Sequence, residues 1–261
     1  GPGQSEIELS FGLLVRVADQ VQLAKYVVKN VAVSLGKTAT FMPKPLFDEA
    51  GNGMYLHLYA SDGSRSLFYG PEGYAGLSDM ALHFIAGLLG HTPALMAITN
   101  PSTNSFRRFS RGLAAPLNLF FSLANRSAAI RIPGYALGEK EERIEYRIPD
   151  PVSNPYLCLA AVAMAGIDGV KRAVSPREEG FGPYDVNVYT LPEEERLKMK
   201  SVPASFEEAL AALAADHAFL LEGGVFDPDF VRVWVDMKMN AEVVPLSARP
   251  RPYEFCLYYD R

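Results

Sequence analysis

The alternation of polar and apolar side chains is sharpest between Arg143 and Ile148. Arg143, Glu145 and Arg147 point one way there, and Ile144, Tyr146 and Ile148 the other. A period of two marks a strand with one face in the core. Ile130 and Ile132 flank Arg131 in a shorter version of the same pattern. Residues 51–60 predict a third strand after a glycine turn, with Tyr55, His57 and Tyr59 opposite Met54, Leu56 and Leu58. Gln4, Glu6, Glu8 and Ser10 alternate against Ser5, Ile7, Leu9 and Phe11, which predicts a strand at 4–11. Another is expected at 252–259.

Helical spacing fills the intervals. Asp19 caps a helix running to about Leu35 and closed by Gly36. An apolar helix follows over 79–89, and Pro93 begins another short one. Asn154 and Pro155 supply the N-cap and first turn of a helix to Gly166. Ser205 and Glu208 form a capping box for a helix to about Leu221, stopped by Gly223 and Gly224. A last helix is expected over 229–244, with loops at 100–115 and 175–191. The sum is an α+β fold, an antiparallel sheet with one open charged face and helices packed on the other.

At 261 residues and 49% hydrophobic, the chain can bury one large core or two modest ones. A net charge of −5 disfavours a nucleic-acid partner. Cys158 and Cys256 lie far apart in apolar surroundings, as buried thiols of a reducing compartment do. No apolar run reaches the length of a membrane span and no signal segment opens the chain, so a cytoplasmic location is expected.

Against that acidic background, positive charge is concentrated locally. Seven arginines and one lysine, Lys140, lie between Arg107 and Arg147. Guanidinium groups capture phosphate or carboxylate bidentately, so several on one sheet face suit a small anion. Glu145, flanked by Arg143 and Arg147, is either a salt-bridge partner or a hard-cation ligand. A salt-bridged solvent face is the plainer alternative. His83, His91 and His217 have no metal-ligand spacing and are assigned to structure, Glu139, Glu141 and Glu142 to a solvated turn, and Trp234 to core or interface.

Longer motifs carry a family resemblance. K-Y-V-V-K-N-V-A, T-A-T-F-M-P-K-P-L-F, L-F-Y-G-P-E-G-Y-A-G-L-S, T-N-P-S-T-N-S-F-R-R, N-R-S-A-A-I-R-I-P and R-I-E-Y-R-I-P-D resemble type I glutamine synthetase almost from end to end. The resemblance covers the later portion of the catalytic domain, without the N-terminal β-grasp domain or the first metal-binding glutamates. It implies ATP-dependent phosphorylation of the glutamate side chain followed by displacement of phosphate by ammonia, with Mg2+ or Mn2+ on the phosphates. By that resemblance Glu6 and Glu145 are metal ligands, and Arg126, Arg131, Lys140 and Arg143 hold ATP phosphates or the acyl phosphate. His57 and Tyr59 meet the nucleotide, Gly51, Arg108 and Arg147 the glutamate. Arg126 and Arg147 are the catalytic pair. Tyr189 matches a tyrosine that some bacterial members adenylylate. Family members assemble as homo-oligomeric rings with sites completed by a neighbour's N-terminal domain, and this stretch alone is not expected to complete such a site.

Three positions depart from the family pattern. Tyr55 stands where G-M-H-x-H has its first histidine, and a neutral phenol is a poor ligand for a hard cation. Ala50 replaces an asparagine that contacts glutamate. Ala114 replaces the flap glutamate that receives ammonium. Three readings follow: an ATP-dependent ligase impaired in glutamine formation, a non-catalytic or regulatory member that still binds Mg-ATP, and a γ-glutamyl ligase using another amine.

Overall fold

A computed structural model describes every residue except 110–114 and 137, and describes Tyr189 only by its backbone. Helix α1 spans Leu14–Ser34 and strand β1 Leu56–Leu58. They are followed by α2 (Asp79–Thr99), α3 (Thr103–Arg107), β2 (Phe121–Leu123), β3 (Ile130–Ile132) and β4 (Ile144–Tyr146). Helices α4 (Pro155–Lys171), α5 (Glu193–Arg196), α6 (Phe206–Ala215), α7 (Ala218–Leu221), α8 (Pro228–Lys238), α9 (Val244–Ser247) and α10 (Pro252–Tyr258) complete it.

The sheet order is β1-β4-β3-β2. Two pairings are antiparallel as expected, and β2 runs parallel to β3, so the sheet is mixed. Ile130, Ile132, Ile144 and Tyr146 are fully buried and share one core with the apolar faces of α2, α4 and α6. The Tyr146 hydroxyl meets that of Thr92 on α2 at 2.9 Å, which satisfies both inside the core.

Helix α2 is continuous through Pro93, where two helices were expected. The missing proline N–H costs one ladder bond. Burial of fourteen of its twenty-one residues outweighs that loss. Its length and apolar character match a membrane span, but most of that stretch is buried against the rest of the protein, as in a core helix. The expected loop at 100–115 contains α3, capped by Ser102.

Both terminal strand expectations fail. Residues 4–11 form no strand, and Ile7 and Phe11 are about half exposed; alternation without a neighbouring ladder does not make a sheet. Residues 252–258 are helical because Pro252 at the first turn sets a helical φ, and Cys256 is exposed rather than buried.

His91 joins three helices. Its Nδ1 lies 2.7 Å from Asp216 beyond α6, its Nε2 2.9 Å from Asp168 on α4, and its ring stacks on Phe219 of α7 at 4.0 Å. Burial opposes protonation, yet the hydrogen bonds to Asp216 and Asp168 together hold its pKa above the ordinary value. Arg172 pairs with Asp168 at 3.0 Å. A raised folded-state pKa gives stability that is complete below the unfolded value of about 6.5 and is lost as pH rises through the folded one. The urea midpoint is therefore expected to fall with rising pH above neutrality, and this part of the fall to vanish in His91→Gln. An unchanged pH slope in the variant contradicts the assignment.

Candidate functional site

Strand register assembles the polar face. Ser122 lies opposite Arg131, Arg131 opposite Glu145, and Glu145 opposite His57, so one row of side chains crosses all four strands. The flanking positions on these strands, among them Ile130, Ile132, Ile144 and Tyr146, turn to the core on the other face.

Glu145 is buried at the centre of the row. Arg131 donates to one of its carboxylate oxygens, and the guanidinium of Arg147 lies 3.4 Å from the other. Arg147 is itself buried and donates to the backbone carbonyls of Arg126 and Ala128, fastening the turn between β2 and β3 to the edge of β4. Tyr55 covers this guanidinium, with its ring centroid 4.7 Å away and its hydroxyl 3.3 Å from Nη2. The phenol that departs from the family pattern thus packs on an arginine.

His57 ends the row. Burial lowers its pKa, and Arg143 and Arg131 lower it further against the opposing charges of Glu145 and Glu8. A neutral imidazole follows, and its Nδ1 is buried without a hydrogen-bond partner among the described residues. Phe11 packs edge-on against His57 and Tyr59 at 6.3 and 5.5 Å, and the Arg143 guanidinium lies 5.1 Å from the Phe11 ring and 5.4 Å from that of Tyr135. Sequence reasoning placed Phe11 on the apolar side of a strand and did not single out Tyr135. Together these rings and Arg143 make an aromatic wall beside the cationic row.

Arg126 and Lys140 are exposed, Arg126 in the turn after β2 and Lys140 in the turn before β4. A cavity of about 440 Å3 opens beside Arg126, lined also by Ser122, Asn125 and Asp185. Asp185 accepts from Ser122 at 2.8 Å and from the Tyr74 hydroxyl, and burial followed by that carboxylate pushes the phenol up to about 12. Asn125 donates to the carbonyl of Val186 at 3.0 Å. This acid-bearing segment, read only as loop from the sequence, holds the Arg126 turn from outside. Glu142, expected in a solvated turn, is fully enclosed, and burial raises its carboxyl to about 7.

Arg108 is buried under Gly51 and Gly53. It donates to the carbonyls of Ile148 at 2.7 Å, Arg147 at 3.0 Å and Pro149 at 3.3 Å. A Cβ on Gly51 would lie 2.5 Å from the Pro43 carbonyl and 2.9 Å from the Arg108 side chain, so only glycine fits beside Ala50. Glu6 is exposed on the 4–11 stretch, and it is Glu8 whose charge acts on His57. Glu145 faces two guanidiniums, and no group of three or more acidic, histidine or cysteine side chains able to hold a metal occurs among the described residues. These residues alone do not fit a divalent metal. Ala114 and Arg111 lie outside the described residues. Tyr189 belongs to a single 3-10 turn, Val188–Thr190.

Comparison with known proteins places the chain in a family. Residues 1–258 match the glutamine synthetase catalytic domain. Glutamine synthetase of Nostoc sp. is 51% identical over 258 residues, 99% of this chain and 53% of that protein. The Streptomyces coelicolor enzyme is 48% identical over 99% of this chain and 54% of its own length. The chain thus spans about half the length of the curated relatives it matches. Among solved structures, a GmaS/ADP complex superposes with a TM-score of 0.82 at 30% identity, covering 97% of this chain and 56% of that one. Plasmodium falciparum glutamine synthetase gives 0.81 at 27% identity, covering 94% and 54%. By the extent of these matches, the chain belongs to the glutamine synthetase family, through its catalytic domain.

Proposed function

We propose that this chain is the later portion of a glutamine synthetase-type catalytic domain and that its polar sheet face binds the phosphates of ATP. In the reaction the terminal phosphoryl group passes to the side-chain carboxylate of glutamate, and an amine then displaces phosphate to form the amide. Arg126, Lys140 and Arg143, which reach solvent, hold the phosphate oxygens, and Arg131 joins them from the row. Phe11, His57 and Tyr59 receive the nucleotide. The observation that carries the reading is the row His57–Glu145–Arg131, where the buried carboxylate holds a guanidinium pre-oriented beside a neutral imidazole. A structural relative described as an ADP complex supports the nucleotide half of it.

Tyr55 bears on the metal. Its ring lies on Arg147 and puts a neutral aromatic surface where the family has a cation ligand, while the alternative of a γ-glutamyl ligase using another amine rests on Ala114, which leaves a less charged amine pocket than glutamate would. Mg2+ or Mn2+ enters with the nucleotide in this proposal, since the described side chains do not form a complete metal site. Exposed Leu23, Val27 and Val31 on α1 suit burial in a homo-oligomer. The two free thiols agree with a cytoplasmic location.

Calorimetric titration of Mg-ATP tests the reading. Saturable one-to-one binding is expected, weakened about tenfold, or about 1.4 kcal/mol, by Arg126→Gln with the melting midpoint unchanged. Failure of the chain to bind Mg-ATP at millimolar concentration, or equal binding by the variant, rejects the phosphate assignment.

A further inference from the structure

A second cavity, of about 720 Å3, lies between α1 and the segment leading into α4. None of its lining residues belongs to the sheet row or its arginines. Lys25 and Lys29 of α1 project into it, and Phe41, Asn104, Ser153 and Asn154 line it as well. The volume falls in the range of small-molecule sites.

Its electrostatics are unbalanced. Lys25 is half-buried, and its ammonium makes one long contact, 3.5 Å to the Ser153 carbonyl. The Lys29 ammonium lies 6.0 Å from the Phe41 ring centroid. Neither lysine forms an ion pair with a described residue, although the chain carries 30 acidic side chains. One helical turn apart, the two ammoniums repel each other. Burial and then Lys29 lower the Lys25 pKa; Asp150 and Cys158 act weakly in the opposite sense.

The carboxylates close by are already engaged. Asp150 is fully buried and accepts from Asn100 at 3.0 Å and from the backbone of Val152 at 3.0 Å. Asp19, on α1 itself, accepts from the Tyr156 hydroxyl. Two cations at one cavity without an internal counter-charge make it suited to an anion from outside. Polar groups on the opposite wall leave room for an uncharged remainder of that ligand.

We propose that this cavity is a binding site for a small dianion, a phosphate ester or a dicarboxylate, held between the ammoniums of Lys25 and Lys29 and separate from the arginine-lined sheet face. The site is independent of the ATP assignment, because no residue is shared.

The test is calorimetric titration of the whole chain with inorganic phosphate and, in a second arm, with succinate, at constant ionic strength. One of the two anions is expected to bind saturably at one site, and the stronger arm identifies the source chemistry. Lys25→Gln and Lys29→Gln should each weaken it at least about tenfold, whereas Arg126→Gln, a change at an exposed residue of the sheet face, should leave it unchanged. Lys29 is exposed, so its replacement keeps the comparison valid if Lys25→Gln unfolds. Three results overturn the proposal: no saturation by either anion at about 20 mM, well above ordinary millimolar affinities; affinity insensitive to both lysine changes; or loss of binding in Arg126→Gln. The first of these would assign the lysine pair to an acidic protein surface instead.

Discussion

Gly87→Ala is expected to destabilise the protein by about 3 kcal/mol or more, enough to remove much of the stability of an ordinary domain. Helix propensity alone predicts the opposite sign, since alanine in a helix interior is favoured over glycine by roughly 0.5–1 kcal/mol. The decisive term is distance. A Cβ on Gly87 would stand 2.2 Å from the Ala165 carbonyl oxygen and 2.8 Å from the backbone of Gly169. Gly169 is reciprocal, its own Cβ falling 2.2 Å from the His83 carbonyl. At this crossing α2 and α4 touch backbone to backbone, and no flexible side chain can yield. The helices must separate, which strips contacts from Ile85, Leu88, Ala161 and Val162 in a core otherwise packed to high density. Gly90→Ala is the control. That glycine is on the same helix, is exposed, and has nothing within 4 Å of where a Cβ would stand, so the propensity gain of roughly 0.5–1 kcal/mol should appear unopposed. Urea unfolding of the two variants reads the difference. A Gly87→Ala midpoint equal to that of the parent would mean that the helices do not cross this closely.

The elements legible in the sequence were those with a local physical cause. Ser205 caps α6 through the amide of Glu208, and Asn154 with Pro155 opens α4, because a cap is a contact between near neighbours. Strand β4 was legible from its alternation, since Ile144 and Tyr146 sit on the core and Glu145 does not share their face. Register was not legible. Nothing in the spacing of His57, Arg131 and Glu145 says that they stand opposite one another, because pairing between distant segments is set by the whole sheet. The ends of the chain show the same limit from the other side. Residues 4–11 alternate as well as many strands do, yet no neighbour offers them a ladder.

Side-chain chemistry was read with a similar bias. An arginine near other arginines suggested an anion site, and for Arg126, which is exposed, that remains the proposed role. Arg147 is different: besides facing Glu145 it donates to two backbone carbonyls, so it shapes the Arg126 turn. Glu142 was expected in water and is enclosed, because the turn that carries it folds under Gly76. A one-letter sequence gives the type of a charged residue but not which of its donors the backbone will claim.

Arg108 is claimed by the backbone more completely than any other arginine described above. The family resemblance assigns it to the glutamate carboxylate, but the residue is 3% exposed and its guanidinium spans the carbonyls of Arg147, Ile148 and Pro149, where β4 leaves the sheet. Burial lowers its pKa, with Tyr55 and Asp150 acting against that shift. Arg108→Met keeps most of the volume and removes every donor. The Ile148 and Pro149 carbonyls each keep a second partner, the Asn100 side chain and the Met54 amide, which limits the damage. Hydrogen bonds from a charged group contribute about 1.5–3 kcal/mol each, so a net loss of about 3 kcal/mol is expected once relaxation and the remaining partners are allowed for. Arg108→Lys should lose less, because an ammonium retains charge and part of the bonding but not the planar fork. The comparison separates two roles. A positioning arginine loses melting temperature most in the Met variant and less in the Lys variant, and any fall in ligand affinity follows the unfolding. A substrate-gripping arginine leaves the melting temperature of the free protein unchanged and loses affinity alone. The first outcome is expected here, since three consecutive backbone carbonyls already converge on one enclosed guanidinium and leave it little to offer a ligand.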